Sequence, residues 1–261
     1  MKIRDIIAPL EEFAPLDWQA EYDNAGLIVG DVDAATDIAL VCVDITEAVL
    51  EEAIELGAGL VIAHHPVIFH PLKHITGGTY IERVVARAIR HNVALYACHT
   101  NLDAAKGGMS FRLGNLLGLQ NVSILDPSGR FPDVGFGIVG ELEKEMPAME
   151  FLGYVKTKLG LKSMRYSDIT QPLVSRVALC TGAGASMAVM AKCAGAQVYI
   201  SSDFKYNDFL DADRELVIAD VGHFESEYCA IDLICDIITK KIPNFALRKS
   251  QRSVNPVNYL V

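Results

Sequence analysis

No CxxC pair, no run of basic residues and no apolar stretch long enough to cross a bilayer occurs in the 261 residues of this chain. Its six cysteines (Cys42, Cys98, Cys180, Cys193, Cys229 and Cys235) lie mostly in apolar segments, as buried thiols do. Disulfides are therefore not expected, and a reducing, cytoplasmic setting is. Lys+Arg number 23 against 33 Asp+Glu, a formal net charge of −10. Phosphate backbones demand a positive footprint, so nucleic acid is not an expected partner, and neither is a membrane. Met1 to Glu12 alternates charged and apolar residues and lacks the basic start, apolar core and small-residue cleavage site of a secretory leader. The absence of a G-x-S-x-G elbow removes the main support for serine hydrolase chemistry. What is present is an ordinary globular composition, 51% hydrophobic and 21% charged, with length for one large or two modest domains.

Hydrophobic periodicity predicts alternating strands and helices. Met1 to Phe13 carries Ile3, Ile6, Ile7 and Leu10 on one helical stripe, stopped by Pro15. Leu27–Val29, Ile38–Val43, Leu60–Ala63 and Val93–Cys98 read as strands. Helices are expected over Thr46–Leu56, capped by Thr46 and stopped by Gly57, and over about Tyr80–His91. Asp126–Pro127–Ser128–Gly129–Arg130 is the clearest break, and the pattern restarts beyond it. Strands are expected at Val134–Glu141, Arg176–Cys180, Gln197–Ile200 and Glu215–Ala219. Helices are expected at Pro147–Leu159, Met187–Ala194 and Tyr228–Lys240. Ile38 to His65 and Arg176 to Asp203 share one order: strand, helix, Gly-Ala turn, strand, polar cluster. The expected fold is α/β: two similar domains with mostly parallel mixed sheets flanked by helices, and a metal site between strand C-termini.

Three of these strands end in ligand-type residues: His64 and His65; His99 and Asp103; His223 and Glu227. In open α/β sheets, ligands bind beyond the carboxyl ends of the strands. The doublet closes a buried run directly before Pro66, which keeps His65 extended. Neighbouring side chains on extended backbone point apart, so the two rings are expected to diverge and to suit two metals better than one. His223 and Glu227 are four apart at a helix start and share a face. Asp103 follows His99 at the same spacing, with Asn101 making a loop as reasonable as a helix there. Four imidazoles and two carboxylates without a thiolate suit zinc, iron or manganese. Two such ions clamp and activate a water for hydrolysis, and a carboxylate such as Asp103 or Glu227 can bridge them.

Other polar residues have plainer readings. His70, His74 and His91 read as structural. His99 reads as a ligand or as a residue that orients one. Thr181 to Ser186 follows a strand and opens a helix, but Met187 replaces the third glycine of G-x-G-x-x-G; a tight turn with Ser186 as cap is the better reading. Asp44 reads as a cap, and Cys98 as an inert core thiol.

On Glu21–Tyr22–Asp23–Asn24–Ala25–Gly26–Leu27–Ile28–Val29–Gly30, Ala63–His64–His65–Pro66, His99–Thr100–Asn101–Leu102–Asp103 and Asp220–Val221–Gly222–His223–Phe224–Glu225–Ser226–Glu227, the chain resembles the GTP cyclohydrolase I type 2 family, also called the NIF-three-like dinuclear metal proteins. The match runs through nearly the whole chain. The resemblance implies two divalent ions per subunit on His64, His65, Asp103, His223 and Glu227; His99 is then the best candidate for orienting a ligand or for acid/base work. It implies a small-molecule substrate (GTP or another nucleotide) and a toroidal homohexamer with its sites facing an internal cavity. The reaction implied is opening of the guanine ring of GTP to formate and 7,8-dihydroneopterin triphosphate. A phosphoester hydrolase and a non-catalytic metal-binding scaffold are the alternatives. It also implies a discontinuous first domain, 1–125 plus 220–261, around a second domain, 126–219. The chain corresponds to the short form without an inserted domain, and Asn207 stands where the family commonly has histidine.

Overall fold

In the computed structural model, which describes residues 1–212 and 214–260, the chain begins with helix α1 (Ile3–Phe13) and strands β1 (Gly26–Val29) and β2 (Ile38–Cys42). There follow α2 (Glu47–Glu55), β3 (Leu60–Ala63), α3 (Tyr80–Arg90), β4 (Ala94–Ala97), α4 (Thr100–Ala104), α5 (Met109–Leu116), β5 (Gln120–Pro127), β6 (Gly135–Pro147) and α6 (Ala148–Lys158). The remainder is β7 (Arg165–Tyr166), β8 (Leu173–Leu179), α7 (Ala188–Cys193), β9 (Val198–Ser201), α8 (Tyr206–Asp211), β10 (Val217–Asp220), α9 (His223–Glu227), α10 (Cys229–Lys241) and β11 (Ala246–Lys249). None of the described helices is long and apolar enough to cross a membrane.

The chain divides into two units, each built from two stretches. The first holds Met1–Leu102 and Ala230–Val254; the second holds Asp103–Cys229 and the residues from Asn255 on. The sequence reading set the divisions at 125/126 and 219/220 instead. The turn formers at 126–130 connect β5 to β6, which pair antiparallel within one sheet.

The first unit carries a mixed five-stranded sheet in the order β1-β4-β3-β2-β11. β2, β3, β4 and β11 run parallel and β1 is antiparallel to β4. Period-two side-chain alternation sends Leu40, Cys42, Val61, Ala63 and Leu95 into a core with Val49, Leu50 and Ala53 of α2 and Val84, Val85 and Ala88 of α3. Thr46 caps α2 by accepting from the Val49 amide, and Gly57 takes the left-handed conformation (φ +66°) just past its end.

The second unit carries a mixed six-stranded sheet, order β5-β6-β8-β9-β10-β7. Here β8, β9 and β10 are parallel, while β5/β6, β6/β8 and β10/β7 are antiparallel. One face sends Val177, Leu179, Val198, Ile200, Val217 and Ala219 into a core with Phe151, Leu152 and Val155 of α6. Ala178, Tyr199 and Ile218 alternate onto the other face, with Met187 and Ala191. Each unit thus contains the predicted strand–helix–parallel strand repeat, β2-α2-β3 and β8-α7-β9.

One polar contact of the first unit has a measurable consequence. Glu52 of α2 is buried and accepts from Ser250 Oγ (2.5 Å), Gln251 N (2.9 Å) and Arg252 N (3.2 Å), pinning the segment after β11. Burial alone would raise its carboxyl; the three donors outweigh it and hold the group below the usual glutamate range. Glu52→Ala orphans three donors and is expected to cost about 2–3 kcal/mol, read by urea unfolding. The depressed carboxyl contributes its stabilisation at neutral pH and loses it as pH falls below the ordinary glutamate value. The Ala variant should therefore converge on the parent in acid.

Candidate functional site

Each unit presents polar residues at the ends of adjacent parallel strands. In the first unit, β2, β3 and β4 are in register through Cys42, Ala63 and Ala97, so the next few residues of each strand emerge side by side. They are Asp44, the His64–His65 doublet, and His99. The His64 ring lies 5.0 Å from that of His65 and 5.4 Å from that of His99; His65 and His99 are also 5.4 Å apart, centroid to centroid.

The doublet does not diverge as expected from a continuing strand. β3 ends at Ala63, and the amides of His64 and His65 both donate to the β2 side, to Cys42 O (3.2 Å) and Val43 O (3.0 Å). Consecutive amides of a regular strand point to opposite sides, so the backbone turns between the two histidines and brings their rings together.

Both rings are held through Nδ1. His64 is fully buried, with Nδ1 2.8 Å from Cys98 O; a carbonyl only accepts, so Nδ1 carries the hydrogen. His65 Nδ1 lies 2.8 Å from Asp44 Oδ1. Asp44 therefore orients a histidine, while the capping role falls to Thr46. With Nδ1 occupied, Nε2 is the ligand-type atom of each neutral ring, the arrangement that outer partners impose on metal-binding histidines.

His99 has a different partner. Its Nδ1 lies 2.6 Å from Asp23 Oδ1, and Asp23 Oδ2 accepts from Thr100 N (3.0 Å) and the Thr100 hydroxyl. The Asp23 side chain is wholly inaccessible. Burial pushes this carboxyl up, but the bonds from His99 and Thr100 outweigh it and hold it at about 2. Sequence reasoning gave Asp23 no role, although it sits in the Glu21–Gly30 motif. Asn101 proves compatible with a helix: α4 includes it, and its side chain accepts from His99 N and donates to Ala14 O.

In the second unit, β8, β9 and β10 repeat the device, with Leu179 opposite Ile200 and Ser201 opposite Asp220. Their ends deliver Thr181–Gly182, Asp203 and His223. Gly222, at φ +85°, turns the chain into α9, which begins at His223 and ends at Glu227. His223 lies between two carboxylates: Nδ1 is 2.5 Å from Asp203 Oδ2 and Nε2 is 3.0 Å from Glu227 Oε2. Burial lowers its pKa, but Glu227 and Asp203 more than offset this and raise the ring to about 9. Glu227 is buried, and Asp103 accepts from the Thr181 hydroxyl at 3.5 Å. Burial, reinforced by Asp103 and Glu227, pushes the Cys180 thiol up to about 12, which makes it a poor nucleophile.

The glycine-rich turn serves the protein's own side chains. The Gly182 carbonyl accepts from Ser202 Oγ (2.6 Å), Ser201 Oγ (3.1 Å) and Ser202 N (3.1 Å). The Gly182 amide donates to Ser226 Oγ (2.9 Å) and the Gly184 amide to Ser201 Oγ (3.0 Å). Amides spent in this way do not cradle a phosphate. Ser186 is not the expected cap either: it lies within a short 3₁₀ turn, Ala185–Met187, and the first residue before α7 is Met187 without a side-chain cap. His70, His74 and His91 are exposed.

The sequence-predicted residues thus fall into two groups, His64, His65 and His99 in the first unit and Asp103, His223 and Glu227 in the second. Nitrogen and carboxylate oxygen with no thiolate fit a borderline divalent metal. The His99–Asp23 pair fits proton transfer.

The chain is similar to known proteins over nearly its whole length. The family model Duf34/NIF3 (NGG1p interacting factor 3) matches residues 1–256. A Clostridium perfringens protein named GTP cyclohydrolase 1 type 2 homolog is 35% identical over 243 residues, 93% of each chain. A Nostoc sp. protein of the same name is 34% identical over 97% of this chain and 95% of its own. Among solved structures, a Bacillus cereus protein related to NIF3 superposes with a TM-score of 0.92 at 25% identity, covering 100% of this chain and 99% of its own.

Proposed function

The chain belongs to the Duf34/NIF3 family, and on that premise we propose that it is a metal-dependent hydrolase acting on a nucleotide. In this reading His64, His65, Asp103, His223 and Glu227 hold two divalent ions, zinc, iron or manganese. The observation that carries it is the His99–Asp23 pair beside two imidazoles anchored through Nδ1. A carboxylate-oriented third histidine beside these two supports a role in proton transfer. When bound, the metal pair lowers the pKa of a water and polarises the group it attacks.

The chain's own residues do the rest. Cys98 O and Asp44 hold Nδ1 of His64 and His65, so Nε2 is the atom each ring would offer to a metal. His223 Nε2 and Glu227 Oε2 face each other at 3.0 Å, and the two side chains would offer a nitrogen and an oxygen to a metal once the ring had given up its proton. Asp23 fixes the His99 tautomer with Nδ1–H toward itself, leaving Nε2 to take a proton from the nucleophile and return it to the leaving group. The relatives' shared name supports GTP as substrate, opened to formate and 7,8-dihydroneopterin triphosphate. A homohexamer and a cytoplasmic location complete the proposal; the buried Cys42 and Cys180 thiols support the latter.

Metal-loaded protein incubated with GTP is expected to release formate. Release of inorganic phosphate instead would replace ring opening by phosphoester hydrolysis, and release of neither would overturn the enzyme reading. His65→Ala is expected to weaken metal binding by more than about 100-fold, read by metal analysis after dialysis. Unchanged stoichiometry would remove His65 from the site.

A further inference from the structure

Next to His99 the first unit exposes two aromatic rings that its core does not use. Tyr22 is 70% exposed and Phe69 37% exposed. Their centroids are 6.3 Å apart at an interplanar angle of 62°, and the Phe69 ring lies 6.0 Å from that of His99 at 82°. Burying a large aromatic stabilises a fold, so leaving two of them accessible beside a cluster of three imidazoles forgoes that stabilisation. Their loops are nevertheless tied in place. Asn24 Nδ2 donates to Ile68 O at 2.7 Å, joining the loop of Tyr22 to that of Phe69. Asp23, adjacent to Tyr22, is anchored by His99 and Thr100. The rings therefore stand as a pre-formed corner rather than as loose side chains.

We propose that Tyr22 and Phe69 form an aromatic rim beside His99 that receives the planar heteroaromatic ring of the substrate by stacking. The term substrate rests on the hydrolase reading above; the rim itself rests on the exposure and geometry of the two rings. An exposed aromatic face stacks on a flat ring without demanding a hydrogen-bond pattern, while the steeply inclined neighbour meets the ring's edge. One end of the ligand is then set against the rim, and the atoms next to it are presented to His99.

The test is calorimetric binding of guanosine, GTP and ribose 5-phosphate to the purified, metal-loaded protein and four variants. Guanosine is expected to bind the parent more tightly than ribose 5-phosphate. Tyr22→Ala and Phe69→Ala should each weaken guanosine and GTP about tenfold. Tyr22→Phe and Phe69→Tyr should stay within about twofold, because the face and not the hydroxyl makes the contact. Metal content should match the parent in all four, and the Tyr22 variants should also keep its unfolding temperature, since Tyr22 is 70% exposed. Equal affinity for guanosine in the parent and both Ala variants, no guanosine binding by the parent, or ribose 5-phosphate binding as tightly as guanosine would each overturn the rim. Failure of the hydrolase reading has a separate signature: no formate or phosphate from GTP, with ring-dependent binding of guanosine intact.

Discussion

Gly182→Ala is expected to displace the buried Glu227 of the second unit, and so to weaken the metal binding proposed for that residue, while leaving the three-imidazole cluster of the first unit in place. Two independent costs converge on this residue. Its φ of +64° is left-handed, which costs a residue with a Cβ about 1–2 kcal/mol. A Cβ built there overlaps Glu227 Oε1 and lies 3.1 Å from Glu227 Cδ and 3.5 Å from His223 Cε1. The turn has no freedom to retreat, because the Gly182 carbonyl is held by Ser201 and Ser202 and its amide by Ser226. Glu227, only 3% exposed, must give way instead and break its 3.0 Å contact with His223. The expected result is a loss of metal affinity of about 10–100-fold or more, with global destabilisation of about 2–4 kcal/mol. Metal analysis and denaturant unfolding read the two effects separately. Parental metal content in a folded Gly182→Ala protein would remove Glu227 from the proposed ligand set.

Asp23→Asn is expected to lower turnover by about 10²–10⁴ while leaving metal content unchanged. Asp23 reaches His99 Nδ1 and Thr100, and its charge stabilises the imidazolium that forms when His99 takes a proton. The amide keeps the shape but loses the charge, and its NH₂ offers a donor where His99 and Thr100 already donate. Because His99 is assigned to proton movement and not to ligation, metal analysis should not register the change; a metal-depleted variant would shift His99 into the ligand set. The same substitution has a pH signature in metal-free protein. Asp23 is held at about 2 in the folded chain, below its ordinary 3.8, so its stabilisation is complete above the ordinary value and is lost as pH falls through about 2. The parent should lose about 2 kcal/mol more than Asp23→Asn between about pH 4 and pH 2. Parallel acid-unfolding curves would show that the carboxylate carries no such stabilisation.

The placement of the site residues followed from local rules. Apolar runs of four or five residues bounded by Gly or polar clusters, such as Leu60–Ala63 and Val198–Ser201, are strands on their own composition. Parallel neighbours then oblige the residues just past them to emerge together. That is why His64 and His65, His99 and Asp103, and His223 and Glu227 are recognisable in the sequence as ligand-type residues at strand ends. Shorter or more polar elements left no such mark. β7 has two residues, and β11 (Ala246–Lys249) reads as a mixed polar tail. The long β6 runs through Glu141–Glu145, where no apolar alternation announces a strand.

Side-chain partners across the chain were less legible still. Asp44 looked like a cap because a carboxylate before a helix usually is one; the register of β2 against β3 instead puts it 2.8 Å from His65. Asp23 is 76 residues from His99, and nothing local links them. The serines that grip Gly182 are likewise meaningless until β8 and β9 lie side by side.

By itself, then, the amino-acid order determined the α/β class, the strand–helix–strand repeat and the identity of the ligand-type residues, because these depend on periodicity and on which residues follow each strand. Only the tertiary structure decided how those residues are set: the turn that draws the His64 and His65 rings together, the oxygens that hold each Nδ1, the Asp23 partner of His99, and a glycine at 182 where a Cβ would strike Glu227. Those depend on backbone direction and on contacts between distant segments, which no local pattern encodes.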